Sequence, residues 1–258
     1  EKLNIIFSTA KGTVRRNALS DFVKIQSSGK IAMKLSDDDK LISVHTSEEK
    51  ENDVFLSTKE GKCLRFPVSN VRKFSGRNSV GVRGIKLSKD DTVISMYILK
   101  HAKFTIDERN NYLKIANSIR RKELQRSMPF SKLSKGKKLS EKKFVEMENI
   151  EEFILSVADN GFGKRSSAYE YRITSRGGKG IANMTVTEKT GKVVSSFPVN
   201  EKDDVMLIAG TGKLIRSPVN KIRIAGRTTQ GVTLFNVESS EKVLSAASIK
   251  DLNINSEE

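Results

Sequence analysis

A repeated unit of about fifty residues constrains this chain more than any other feature, because a period of that length belongs to stacked or radial repeat architectures. Four segments align: NIIFSTAKGTVRRNALSDF from Asn4, DVFLSTKEGKCLRFPVSN from Asp53, EFILSVADNGFGKRSSAYEY from Glu152 and DVMLIAGTGKLIRSPVNK from Asp204. Each holds an apolar run, a tight turn ending in glycine and an arginine four residues further on: Gly12/Arg16, Gly61/Arg65, Gly161/Arg165 and Gly212/Arg216. The glycines are separated by 49, 100 and 51 residues, so roughly one extra period lies in the middle gap. A second glycine follows in every unit, at Gly29, Gly81, Gly180 and Gly231. Short runs rich in Val, Ile, Phe and Leu, bounded by Gly, Asn, Asp and Ser, read as β-strands at hairpin spacing. A unit of this size with roughly four short strands predicts an all-β fold of propeller-like blades.

The expected organisation is two blades over residues 1–100, a basic and partly helical insertion over 101–150, two further blades over 151–250, and a short tail over 251–258. Residues 101–150 hold 9 Lys and 4 Arg against 6 Asp+Glu, a net charge of +7. Thr105-Ile-Asp-Glu108 reads as a capping box opening a helix. Tyr112, Ile115, Ala116 and Ile119 follow at helical spacing, with Pro129 as a stop. The Lys/Ser-rich stretch 131–143 is expected to be mobile, and a second helix is predicted over 140–149. The insertion is expected to loop out between two blades.

The whole chain carries 47 Lys+Arg against 31 Asp+Glu, a formal net charge of +16, and such an excess attracts polyanions. In a propeller-like array the turns project to the edge, so basic residues recurring in register would form a belt. After the first turn these are Arg15, Arg16, Arg65, Lys164, Arg165, Lys213 and Arg216. Around the second glycine they are Lys30, Arg72, Lys73, Arg77, Arg83, Arg176, Lys179, Lys221, Arg223 and Arg227. In the loop Thr174-Ser-Arg-Gly-Gly-Lys-Gly180, Gly177 and Gly178 let backbone approach a phosphate while Arg176 and Lys179 supply charge. Aromatic residues are 6 % of the chain and tryptophan is absent, so stacking platforms for single strands are poorly supplied. The expectation is therefore contact with the backbone of double-stranded DNA and little sequence readout.

Other chemistry is weakly represented. The P-loop spacing is missing, and no βαβ context supports a dinucleotide fingerprint. Cys63 is alone and reads as a core or interface thiol. Two histidines, His45 and His101, lie far apart in sequence with no nucleophile elbow near either, and no metal centre is expected. The acidic run Asp37-Asp38-Asp39 is read as a hairpin turn. Apolar runs are too short to span a bilayer, so no membrane partner is expected.

The motifs FSTAKGTVRRNALSDF, GKIAMKL, GRNSVGVRGIKL, NGFGKRSSAYEYRITSRGGKG and GRTTQGVTLFNV together resemble the C-terminal DNA-wrapping domain of gyrase A subunits, whose fold is a propeller-like β-pinwheel. The resemblance implies a bacterial, cytoplasmic and nucleoid-associated domain that bends and wraps duplex DNA on a basic rim and so supports negative supercoiling. It implies as partners a gyrase B subunit together with the rest of a homodimeric gyrase A subunit, in a heterotetramer. ATP and magnesium would belong to those other parts, leaving no cofactor and no catalytic site here; none of Tyr97, Tyr112, Tyr169 or Tyr171 matches the surroundings of the family's cleavage tyrosine. Six blades are usual in that family, so the first blades and their diagnostic basic box are expected upstream of Glu1. Residues 174–180 match only the Arg-Gly-Gly-Lys-Gly half of that box. The equivalent domain of topoisomerase IV, which binds DNA but wraps it poorly, and a protein-binding propeller are the alternatives.

Overall fold

A computed structural model describes residues 3–24, 26–48, 50–101, 103–121, 127–237 and 241–250. The first repeat forms β1 (Leu3–Thr9), β2 (Thr13–Ala18) and β3 (Leu41–Glu48); the second forms β4 (Asn52–Thr58), β5 (Lys62–Pro67), β6 (Val82–Arg83) and β7 (Val93–Lys100). Among the described residues that follow lie the helices α1 (Ile106–Arg121), α2 (Phe130–Leu133) and α3 (Glu141–Asn149). The third repeat forms β8 (Phe153–Ala158), β9 (Phe162–Ser167), β10 (Ile181–Ala182) and β11 (Val193–Val199). The fourth forms β12 (Asp204–Ala209), β13 (Leu214–Pro218), β14 (Val232–Thr233) and β15 (Val243–Ile249).

Each sheet is antiparallel, but a repeat and a blade are not the same stretch of chain. The sheet orders are β3-β1-β2-β6, β10-β5-β4-β7, β11-β8-β9-β14 and β13-β12-β15. The fourth strand of each of the first three blades therefore comes from the following repeat. The expectation of four strands contributed by one unit is corrected here. Residues 29–35, which correspond to those donated segments in the first repeat, form no strand, and the fourth blade has three strands among the described residues.

The Gly/Arg landmark is the clamp for this exchange. Gly12, Gly61 and Gly161 accept amides of the next repeat through their carbonyls, from Gly84, Asn183 and Leu234, each at 2.8 Å. The carbonyls of Arg16, Arg65 and Arg165 accept from Phe74, Thr174 and Ala225 at 2.8, 2.9 and 2.8 Å. At Gly61 and Gly161 the backbone lies at φ +73° and +79°, and an added Cβ would fall 2.3 Å from the Met184 carbonyl and 2.1 Å from that of Phe235. Gly12 is approached in the same way by Ile85, whereas Gly212 meets nothing within 4 Å.

Apolar strand residues pack between neighbouring blades. Ile6, Val14, Val54, Leu56 and Phe66 form one buried cluster, and Leu155, Val157, Phe197, Val205 and Leu207 form another. A polar knot joins the second and third blades: the side-chain amide of Asn183 donates to Ser156 Oγ at 3.1 Å and Ser196 Oγ at 3.0 Å, and its carbonyl accepts from Tyr171 Oη at 2.8 Å. Burying such groups costs little only because every one is partnered.

The inserted segment is folded and docked. Thr105 and Glu108 make the reciprocal capping box, with the Thr105 amide on Glu108 Oε2 at 2.8 Å and the Glu108 amide on Thr105 Oγ1 at 3.2 Å. Phe104, Tyr112, Ile115, Ala116, Phe144 and Met147 bury one another against Tyr169, which follows β9. The Tyr169 hydroxyl donates to the Met147 carbonyl at 2.9 Å. Pro129 is the residue before α2, and α2 and a turn occupy much of the stretch expected to be mobile.

The candidate nucleic-acid interface

The structure sorts the basic candidates into two sets. Arg15, Arg16, Arg65, Lys164 and Arg165 are buried, so the exposed belt expected after the first turn is not formed by them. Their charge is spent between blades. Arg65 donates from Nε to Asp53 at 2.8 Å, from Nη1 to the Ala168 carbonyl at 2.9 Å and from Nη2 to the Lys100 carbonyl at 2.7 Å. Arg165 donates from Nε to the Ile222 carbonyl at 2.7 Å. Arg15 donates to Ser79 Oγ at 2.6 Å and to the carbonyls of Ser79 and Gly76, and stacks on Phe74. Lys164 Nζ donates to the Gly226 carbonyl at 2.6 Å, and burial lowers its pKa to about 7.

The physical reason is the strand exchange. A side chain beside the first turn lies under the loop delivered by the next repeat, and a cation there is stable only where carbonyls satisfy its donors. Arg216, over which no loop lies among the described residues, is 64 % exposed and pairs with Asp204. Lys213 is also exposed and pairs with Glu241 at 3.6 Å.

The second set lies on the loops around the second glycine. Arg72, Lys73, Arg83, Lys179, Lys221 and Arg223 are exposed, while Lys30, Arg77, Arg176 and Arg227 are half-buried. The half-buried arginines share one task. Arg77 Nη1 donates to the Ile31 carbonyl at 2.7 Å, Arg176 Nη1 to the Arg83 carbonyl at 3.0 Å, and Arg227 Nη1 to the Ala182 carbonyl at 2.8 Å. In each case the arginine four residues before the second glycine reaches the carbonyl two residues past that glycine in the preceding repeat. Consecutive loops are thereby tied edge to edge. The Gly177 amide adds a bond to the Gly84 carbonyl at 2.5 Å and the Gly178 carbonyl accepts from the Lys86 amide at 2.8 Å, so both glycines are held against the neighbouring loop. Lys30 Nζ caps the Asp21 and Lys24 carbonyls at 2.7 and 2.9 Å.

This arrangement displays guanidinium and ammonium groups on loops fixed by backbone hydrogen bonds, which suits phosphate contact from several repeats at once. Sequence reasoning missed Arg172, exposed at the position that Arg72 and Arg223 occupy in their repeats; alignment in register carried the signal. The other chemistry is quiet. Burial pushes the Cys63 thiol up to about 12. The run Asp37-Asp38-Asp39 forms a turn before β3 rather than a hairpin, since residues 29–36 form no strand, and Asp39 accepts the Lys11 and Lys40 amides. No cluster of three or more potential metal ligands occurs among the described residues, and none of the helices described there is long and apolar enough to cross a membrane.

Serially exchanged blades with a cationic loop rim define a pinwheel-type propeller. The chain belongs to the DNA gyrase C-terminal domain (beta-propeller) family, whose profile matches residues 3–48, 52–100, 152–200 and 203–250. It is 51% identical over its whole length to the DNA gyrase A subunit of Rickettsia bellii (strain RML369-C), and 44% identical over 95% of its length to that of Granulibacter bethesdensis (strain ATCC BAA-1260 / CGDNIH1). It spans 28% and 27% of those relatives' lengths. Among solved structures it superposes on a DNA gyrase A C-terminal domain with a TM-score of 0.68 at 21% identity, covering 96% of this chain and 66% of that one. A DNA topoisomerase IV C-terminal domain superposes with 0.72 at 17% identity, covering 97% and 62%. At these identities the superpositions speak for the fold.

Proposed function

We propose that this chain binds double-stranded DNA through the phosphate backbone and bends it along the rim of tied loops, as the C-terminal part of a gyrase A subunit. The observation that carries this is the in-register display of exposed Arg72, Arg172 and Arg223 on loops locked by Arg77, Arg176 and Arg227. Bending a duplex costs several kcal/mol per 20–30 bp or so, and only a row of contacts can offset that. In the whole protein the domain would serve ATP-dependent supercoiling by a homodimeric A subunit with gyrase B, contributing no group to strand cleavage. The Rickettsia bellii and Granulibacter bethesdensis relatives, 51% and 44% identical to this chain, are gyrase A subunits, which favours that reading over topoisomerase IV.

The test is end-to-end energy transfer on a duplex of about 150 bp, roughly one persistence length, titrated with the 258-residue chain over a salt series. Ends drawn together at low salt and released at high salt are expected. Absence of binding at low salt would overturn the proposal.

A further inference from the structure

The inserted helices create a second cationic surface that the repeat does not predict. A groove of about 1610 Å³ runs between α1 and the rim loop of the fourth repeat. Asn110, Lys114, Asn117 and Arg121 line it from α1 at i, i+4, i+7 and i+11, a polar face opposite buried Tyr112 and Ile115. Lys221 and Arg223 line it from the rim.

The pairing of charges in this groove is one-sided. Glu151 is taken by Tyr112 Oη at 2.7 Å and by Arg120, Glu201 by Arg165 at 3.4 Å, and Glu170 by the Arg227 amide at 2.8 Å. Lys114, Arg121, Lys221 and Arg223 are exposed, and none has an ion pair among the described residues. Of the acidic groups described along the groove, Glu148 and Glu170, the latter held only by a neutral amide, stand without an ion pair against those four cations. A groove left with surplus cations on both walls is built for an anion that enters from outside.

We infer that this groove takes the phosphate backbone of duplex DNA continuing off the rim, with Lys114 and Arg121 as contacts supplied by the insertion. Lys114 and Arg121 are two helical turns apart, about 10.5 Å, which is about three base-pair rises along a duplex axis. The rim wall shares its cations with the loop series proposed to bind DNA, so the inference rests on that reading.

The test measures anisotropy of a duplex of about 40 bp with the 258-residue chain across salt. Wild type is compared with Lys114→Ala/Arg121→Ala and with a rim variant, Arg72→Ala/Lys179→Ala. Losing two phosphate contacts should lower the salt slope by about 1.8 and weaken binding on the order of 60-fold at about 0.1 M salt. An iron chelate tethered at Asn110→Cys should cut the bound duplex, with buried Cys63 staying unlabelled. An unchanged slope and an uncut duplex, with the rim variant still weakened, would overturn the groove and leave the rim reading standing. No binding by wild type would remove both.

Discussion

Arg65 donates from Nη1 to the backbone carbonyl of Ala168 at 2.9 Å, across the whole helical insertion and from one repeat to the next. The same residue's carbonyl accepts the Thr174 amide at 2.9 Å, so one arginine fastens both the incoming strand and the turn before it. The recurrent arginine is thus a fastener between blades. Where a described loop of the next repeat covers it, at Arg16, Arg65 and Arg165, it is buried, and at Arg216, which no described loop covers, it is solvated.

Arg65→Ala should therefore destabilise the fold, whereas Arg216→Ala should not. The Arg65–Asp53 pair is essentially inaccessible, at 1% and 0% side-chain exposure, and removing one partner of such a pair costs about 3–5 kcal/mol. The Arg216–Asp204 pair is open to solvent and falls in the range of about 0–1 kcal/mol. Urea denaturation followed by circular dichroism compares the two; equal effects would show that the arginine does not fasten the blades.

The turn glycines divide in the same way. Gly161→Ala meets a left-handed backbone, worth about 1–2 kcal/mol, and a collision with the Phe235 carbonyl, worth about 1–3 kcal/mol more. Gly212→Ala meets only the first, since its φ is +84° with open space beyond. Hydrogen exchange at Leu234, whose amide is held by the Gly161 carbonyl, should accelerate in the first variant and stay unchanged in the second.

The period, the Gly/Arg pairs and the capping box at Thr105 were all legible, because turns and caps declare themselves within a few residues. The exchange was not. The donated strands β6, β10 and β14 are two residues long, too short for any periodicity, and their partners lie in another repeat. That is also why Arg15, Arg65 and Lys164 read as surface charges: what covers them arrives from 62 to 103 residues downstream, at Ser79, Ala168 and Gly226. The docking of the insertion escaped for the same reason, since Tyr169 meets Tyr112 and Phe104 only in three dimensions.

Lys164 should make stability depend on pH. Burial lowers its pKa from 10.5 to about 7, so between those values the unfolded chain holds a proton that the folded chain lacks. Stability then rises with pH across that window and is flat, at its penalised level, below pH 7 or so. Lys164→Met removes this slope. Denaturation midpoints at several values from pH 6 to 10 should show the wild type gaining on the variant as pH rises; parallel curves would mean that the amine is solvated.

Cys63 should resist thiol reagents in the native protein. Its thiol is pushed up to about 12 by burial, and β10 pairs over it through Ile181. Gly180 packs so closely that a Cβ would lie 2.5 Å from the Cys63 carbonyl, and Gly180→Ala should therefore loosen this strand and speed labelling. Maleimide uptake timed by mass spectrometry reads the difference; fast labelling of the wild type would show that the donated strand opens freely.

Arg176 and Lys179 sit three residues apart on one loop and should separate structure from contact. Arg176 is half-buried and donates to the Asn70 and Arg83 carbonyls at 2.9 and 3.0 Å, so Arg176→Ala should free the loop, leave two carbonyls to water and reduce DNA affinity together with thermal stability. Lys179 is exposed, and Lys179→Ala should leave the melting temperature alone while lowering the salt slope of DNA binding by about 0.9, one phosphate contact. Melting curves and salt titrations on both variants decide it. If Lys179→Ala keeps the wild-type slope, the glycine-rich loop is a structural tie between repeats and the rim meets phosphates through other cations such as Arg72, Arg172 and Arg223.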